Sequence, residues 1–255
     1  MTLFQSLRRF LAACLIGLAA ALAGLAAPAA AMTVSPVVLN LTPGTGMTQT
    51  IIVQNTFAVP LHVELRVEEL IPDGNGFTAT GRDSGDLTVF PPMAVIQPGQ
   101  TQAFRVAYVG NPELARSKHY YVTVAQLPVQ RSEGQPAIQV LYNFQVLVSV
   151  SPQRAEPALR IDDAAVGATE DGRSAAALTV TNTAAAHGYL SNGRLRIVQK
   201  DRGGRRLSET VLAGPEIQQT IGYGLIAGGQ TRRVLVPIAL ARPDAVIEAT
   251  FTPGD

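Results

Sequence analysis

The sequence predicts an all-β protein made of two immunoglobulin-like sandwich domains, and three observations carry that prediction. Short alternating or β-branched apolar runs recur along the chain, separated by Gly, Pro and Asn, and none reads as a convincing amphipathic helix. Seven such runs fall within about 120 residues, the strand count of an immunoglobulin-like domain. A polar, proline-bearing stretch, Gln153-Arg154-Ala155-Glu156-Pro157, then separates them from a second set.

The elements follow in order. Met1–Arg9 carries Arg8 and Arg9, Phe10–Ala27 is apolar and uncharged, and Ala29-Ala30-Ala31 is a small-residue site suited to signal peptidase. The expected leader is 1–31; removing those 31 of 255 residues leaves 224, starting near Met32. The Ala-rich run and its terminal motif favour a cleaved signal over a membrane anchor, so export without stable membrane insertion is expected. Leu11-Ala12-Ala13-Cys14 stands before the apolar stretch rather than after it, which argues against lipidation.

Within the first domain, 32–152, the expected strands are Thr33–Leu41, Thr48–Asn55, Leu61–Ile71, Leu87–Phe90, Thr101–Val109, Tyr120–Leu127 and Ala137–Val150. Turn signals at Pro43-Gly44, Asp73-Gly74-Asn75-Gly76 and Pro98-Gly99 separate them. Residues 153–157 form the expected hinge. The second domain, 158–255, repeats the style with Ala158–Ile161, Ala175–Thr181, Tyr189–Gln199, Thr231–Pro237 and Val246–Phe251.

Ala137–Val150 is the most informative of these strands. Every even position from Ile138 to Val150 is apolar, and alternation in a strand places all seven on one face. A strand well beyond the usual five or six residues can fill its own core along part of its length and present the rest to a partner.

Composition and motifs exclude other classes. The single cysteine, Cys14, lies in the expected leader, so the mature chain has no disulfide and depends on packing. Losing Arg8 and Arg9 takes the formal charge from +1 to −1, which gives no electrostatic basis for binding nucleic acid. His62, His119 and His187 are far apart in sequence, without a metal-ligand spacing, and read as surface or strand-end residues. Glu68-Glu69 point to opposite faces of a strand. There is no nucleophile elbow, P-loop or dinucleotide fingerprint. Lys200, Arg202, Arg205 and Arg206 around Gly203-Gly204 read as a solvated hairpin tip. No enzyme activity, cofactor or metal is expected.

One stretch resembles a known family. Phe90-Pro91-Pro92, Ile96-Gln97-Pro98-Gly99-Gln100 and Arg105-Val106 are followed by Glu113-Leu114-Ala115-Arg116-Ser117-Lys118-His119-Tyr120-Tyr121-Val122-Thr123-Val124 and Leu127-Pro128. This resembles the first domain of the periplasmic pilus-assembly chaperones, the PapD-like family of chaperone–usher systems. Val53-Gln54-Asn55-Thr56 is similar to that family's strand end "V-x-N-T". The likeness in length and layout spans the mature chain, and the specific motifs lie within about 50–152.

The resemblance implies two immunoglobulin-like domains in a boomerang, acting in the periplasm on pilus or fimbrial subunits that then pass to an outer-membrane usher. In that family the last strand of the first domain complements an incomplete subunit, a form of strand addition. Ungapped matching puts the donor side chains at Ile138, Val140 and Tyr142, with Phe144 and Val146 continuing the face toward the cleft. An exposed apolar edge of this kind also predicts self-association when no subunit is bound. The family holds the subunit's terminal carboxylate with two cleft bases, whose places fall here on Pro36 and Leu147, neither of which can pair with a carboxylate. Arg154 beside the hinge, and Arg105, are the substitute anchors the sequence offers. Ser117 replaces the family's Glu after Arg116, which removes one partner of its usual interdomain ion pairing. The competing reading is a secreted structural or adhesive sandwich in which Ala137–Val150 is an ordinary core strand.

Overall fold

The computed structural model describes residues 31–128 and 140–254. Of the expected leader only Ala31 is among them, and Ile138 lies outside.

The first ten strands are β1 (Met32–Ser35), β2 (Val38–Leu41), β3 (Thr48–Asn55), β4 (Leu61–Pro72), β5 (Phe77–Ala79), β6 (Leu87–Phe90), β7 (Met93–Ile96), β8 (Thr101–Tyr108), β9 (Lys118–Gln126) and β10 (Asn143–Val150). They form one sheet ordered β1-β3-β8-β6 and a second ordered β2-β10-β9-β4-β5, with β7 also on β4. Alternate residues of both sheets meet in one core that includes Ile51, Val53, Phe104, Val106, Tyr120, Val122, Val146, Val148 and Val150. This is the packing of a sandwich, in which period-two side chains fill the space between sheets.

The expected strand Thr33–Leu41 is two strands in different sheets: β1 pairs with β3, and β2 runs parallel to β10. Pro36 stands between them; it has no N–H to give a ladder, so pairing stops there. β5 and β7, which the sequence reading missed, are three- and four-residue strands, too short for an alternating pattern to register.

The second set comprises β11 (Leu159–Ala168), β12 (Ser174–Asn182), β13 (Gly188–Tyr189), β14 (Gly193–Lys200), β15 (Arg206–Leu212), helix α1 (Gly214–Ile221), β16 (Leu225–Ile226), β17 (Thr231–Pro237) and β18 (Val246–Pro253). Sheets β11-β12-β17 and β15-β14-β18 enclose a separate core around Leu178, Val180, Leu195, Ile197 and Val234. The expected strand Tyr189–Gln199 is broken by a 3₁₀ turn at Leu190–Asn192 between β13 and β14. α1 begins at a Gly-Pro step and the Glu216 carboxylate accepts the Ala213 N–H at 2.6 Å. It buries Ile217 and stops at Gly222, whose φ of +70° favours glycine.

The two cores meet through specific contacts. The β4–β5 turn reaches across: Arg233 N–H donates to Gly74 O at 2.9 Å, and Arg232 Nε–H to Asn75 O at 3.0 Å. Gly74 takes a φ of +85° in that turn. Near the start of β9, Ser117 N–H donates to Ala185 O at 3.0 Å. The hairpin tip after β14 is ion-paired, Lys200 with Glu248, Arg205 with Asp201 and Arg206 with Glu209.

Candidate subunit-binding edge and interdomain groove

β10 has different neighbours along its two halves. On one side it pairs with β9 over its whole length. On the other, β2 covers it only from Leu147, opposite Val38, to Val150, opposite Leu41. Among the described residues no strand covers that second side before Leu147.

The direction of each backbone group follows from these pairings. Leu147 N–H donates to Val37 O at 3.0 Å and Ser151 N–H to Leu41 O at 2.9 Å, so odd residues direct their N–H groups toward the β2 side. Gln126 N–H donates to Tyr142 O at 2.9 Å, so even residues face β9. Because these groups alternate along a strand, Asn143 and Gln145 present theirs to the open side.

The side chains divide the face that looked continuous in sequence. Val140 is 64% exposed and Tyr142 41% exposed, whereas Val146, Val148 and Val150 are at 0%. Phe144 is half-buried against the first core. Val146 is therefore corrected from a presented residue to a core residue: it lies opposite Val122 of β9 inside the sandwich. The strand is also shorter than expected, since Val140–Tyr142 precede it without ladder pairing. Tyr142 lies 6.0 Å, ring to ring, from Phe57. With Leu141 at 40%, three consecutive apolar side chains adjoin the open edge.

A groove of about 580 Å³ continues from that edge toward the second domain. Gln145 and Leu147 of β10, Val38, Phe77, Tyr223 and Arg232 line it. Leu147 and the chain next to Pro36 do lie at this groove, and neither supplies a charge. Arg154 does not line it: it is exposed between β10 and β11, with φ of +58°, beside a different hollow shared with Thr42 and His187. Arg105 is exposed on β8 in the other sheet. Neither suits the expected anchor role.

The cation in the groove comes from the second domain. Arg232 Nε–H donates to Asn75 O, and Nη1 donates to Leu225 O at 2.7 Å. No carboxylate of the described residues lies within ion-pairing distance of it, and Nη2 makes no hydrogen bond among them. Burial lowers the pKa of Arg232 from its usual value, opposed by the field of Asp73. Asp73 is itself occupied by Thr78 and by the amides of Asn75 and Gly76. A guanidinium held through Nε and Nη1 by two carbonyls, with donors left over, is suited to an anion. No sequence signal marks Arg232, which sits roughly 80 residues beyond β10, on β17 of the second domain.

The histidine expectation holds in position, since His119 is the second residue of β9 and His187 immediately precedes β13, and is corrected in exposure. His119 and His187 are buried, at 1% and 8%, and their rings meet edge-on at 5.4 Å between the two domains. His187 Nδ1 lies 2.8 Å from Ser151 Oγ and its Nε2 3.0 Å from Asn40 Oδ1. Ser117 Oγ accepts the His187 N–H at 2.8 Å, so the residue that replaces the family's Glu holds the interface by neutral hydrogen bonds. Among the described residues no group of three or more potential ligands could hold a metal ion, and no helix is long and apolar enough to cross a membrane.

The site is thus an edge strand uncovered over its first half, beside the junction of two immunoglobulin-like sandwiches. Residues 31–156 match the family described as "Pili and flagellar-assembly chaperone, PapD N-terminal domain". The chain belongs to this PapD-like family of pilus-assembly chaperones, which is not an enzyme family. Among solved structures, it resembles the chaperone–tip adhesion subunit pre-assembly complex CsuC–CsuE of the archaic chaperone-usher Csu pili of Acinetobacter baumannii. Identity there is 15%, with a TM-score of 0.53 over 88% of this chain and 94% of that one. The class 5 fimbriae chaperone CfaA gives 11% identity and a TM-score of 0.50 over 86% of this chain and 98% of that one. No curated protein matches the chain.

Proposed function

We propose that this chaperone acts in the periplasm, after cleavage of the 1–31 leader, by lending the edge segment Val140–Gln145 to one pilus or fimbrial subunit at a time. The loaded complex then passes to an outer-membrane usher. The observation that carries this reading is the uncovered side of β10 before Leu147, flanked by exposed Val140, Leu141 and Tyr142. Backbone groups of Asn143 and Gln145 give affinity independent of sequence, while Val140 and Tyr142 enter the subunit's groove. Burying those two side chains contributes about 1.5–3 kcal/mol each before ordering costs.

On this reading the subunit's terminal carboxylate lies in the interdomain groove against Arg232, in place of the bases absent at Pro36 and Leu147. A hinge within 153–157 sets the groove's width. When no subunit is present, the same edge pairs with a second copy.

The test is co-expression of the tagged protein with the subunits encoded beside it, followed by native mass spectrometry of the periplasmic eluate. A one-to-one complex is expected, lost in Val140→Asp/Tyr142→Asp while circular dichroism of that variant stays unchanged. Retention of the complex in a folded double variant overturns strand lending, and a client-free wild type favours the structural sandwich.

A further inference from the structure

The contact between the domains is built on imidazoles where ionic partners could have stood. Five rings run across it: Phe77 to His119 at 4.9 Å, His119 to His187 at 5.4 Å, His187 to Tyr189 at 5.0 Å, and Tyr189 to Tyr223 at 6.0 Å. Phe77 and His119 belong to the first domain and the other three to the second. Hydroxyls and an amide close the gaps: His119 Nδ1 lies 2.9 Å from Ser149 Oγ, and Tyr189 O–H reaches Ser149 Oγ at 3.1 Å and Asn40 Oδ1 at 2.9 Å. His119 Nε2 is buried with no hydrogen-bond partner among the described residues.

We propose that the His119–His187 pair is an acid-sensitive latch on the arrangement of the two domains: neutral imidazoles hold them together, and protonation lets them part. The geometry supplies the reason. A proton added to His119 Nε2 creates a buried N–H⁺ with nothing to accept it. A second proton on His187 puts two like charges in ring contact. Parting the domains returns both rings to water.

Among the described residues, neither imidazole forms an ion pair that would stabilise its charge. On β9, Lys118 is held by Asp86 at 2.7 Å. On β4, Glu69 lies opposite Tyr120, and Glu68 opposite Tyr121 accepts the Gly81 N–H. From the second domain come the phenols of Tyr189 and Tyr223. Arg116 packs on Gly229, and Arg232 holds the β4–β5 turn. Arg154 and Glu156 line the hinge hollow of about 420 Å³ that borders His187 and opens a path for water.

The sign follows from burial. Desolvation, with the field of His187 added, takes His119 from 6.5 to about 3, and desolvation takes His187 from 6.5 to about 4. The parted state binds protons first, so below pH 6.5 the closed state loses ground progressively. At pH 5 each imidazole favours parting by about thirtyfold. Since both domains wall the Arg232 groove, parting also takes that groove apart; this consequence alone rests on the function proposed above.

The test uses the free mature protein, whose only native cysteine, Cys14, falls in the leader. Spin labels on Val95→Cys and Val211→Cys, one exposed site in each domain, report the interdomain distance by pulsed electron spin resonance. One narrow distribution is expected at pH 7.5, broadening between pH 6.5 and 4.5 with unchanged far-ultraviolet dichroism, and no broadening in His119→Gln/His187→Gln. An unchanged distribution down to pH 4.5, the same broadening in the double variant, or broadening that coincides with loss of dichroism overturns the latch. Should the double variant not fold, ¹⁵N titration of the wild-type imidazoles decides: values below 5 in the closed state are expected, and values near 6.5 overturn the proposal.

Discussion

Leu147 and Val38 face each other as the first pair of the parallel ladder between β10 and β2, and that pair marks the point where the edge of β10 closes. Beyond it β10 is an interior strand whose even residues fill the first core. Before it the strand keeps one neighbour, β9, and its outward-facing amides have no partner strand among the described residues. From Val140 to Val150 the apolar face therefore divides into an exposed and a buried part, and Phe144 sits at the boundary.

Core and edge positions of the first domain predict stability effects of very different size for aromatic residues. Phe104 is at 0% exposure in the first core, so Phe104→Ala lowers the unfolding free energy by about 3–5 kcal/mol. Tyr142→Ala, at an exposed site beside Phe57, changes it by less than about 1 kcal/mol in the free protein. Urea unfolding of both variants measures the contrast.

Arg232 carries a prediction of its own. Arg232→Gln leaves an amide in the groove but removes the charge, and weakens subunit binding by about tenfold to a hundredfold, the value of a charge-assisted hydrogen bond. The loss disappears when the subunit ends in an amide rather than a carboxylate. Isothermal titration with both forms of the subunit separates an anchoring role from a purely structural one.

The two domains share a device at the end of equivalent strands. Asn55 is fully buried and donates through Nδ2 to Val59 O and Ile96 O, while its Oδ1 accepts from Phe57 N–H. Asn182 repeats this, donating to Ala186 O and Ile226 O and accepting from Ala158 and Ala184 N–H. Asn182→Ala strands several backbone groups at once and costs the second domain about 2–4 kcal/mol, each orphaned group contributing about 1–3 kcal/mol when fully buried. Differential scanning calorimetry reads it as a lowered transition of that domain.

The sandwich class was legible because strand alternation and turn residues are local, and the family motifs around Pro91 and Arg116 are contiguous in sequence. The open edge was legible only in part. Parity identified the apolar face of Ile138 to Val150, but not where β2 would cover it, since that depends on a chain segment about 100 residues away. Arg232 and the histidine pair were not legible, because β17, β9 and β13 meet only after two separate cores have docked. Val180-Thr181-Asn182-Thr183 repeats the Val53-Gln54-Asn55-Thr56 pattern and was a sequence signal that the second domain reuses the buried asparagine.

Residue-resolved hydrogen exchange by nuclear magnetic resonance, in the free protein and in its one-to-one subunit complex, tests strand lending most directly. The amides of Asn143 and Gln145, which face the open side of β10, should exchange rapidly when free and become protected in the complex, while Val146, already paired with β9, changes little. Unchanged exchange at Asn143 and Gln145 in a stable complex would contradict the account and place the subunit elsewhere on the surface.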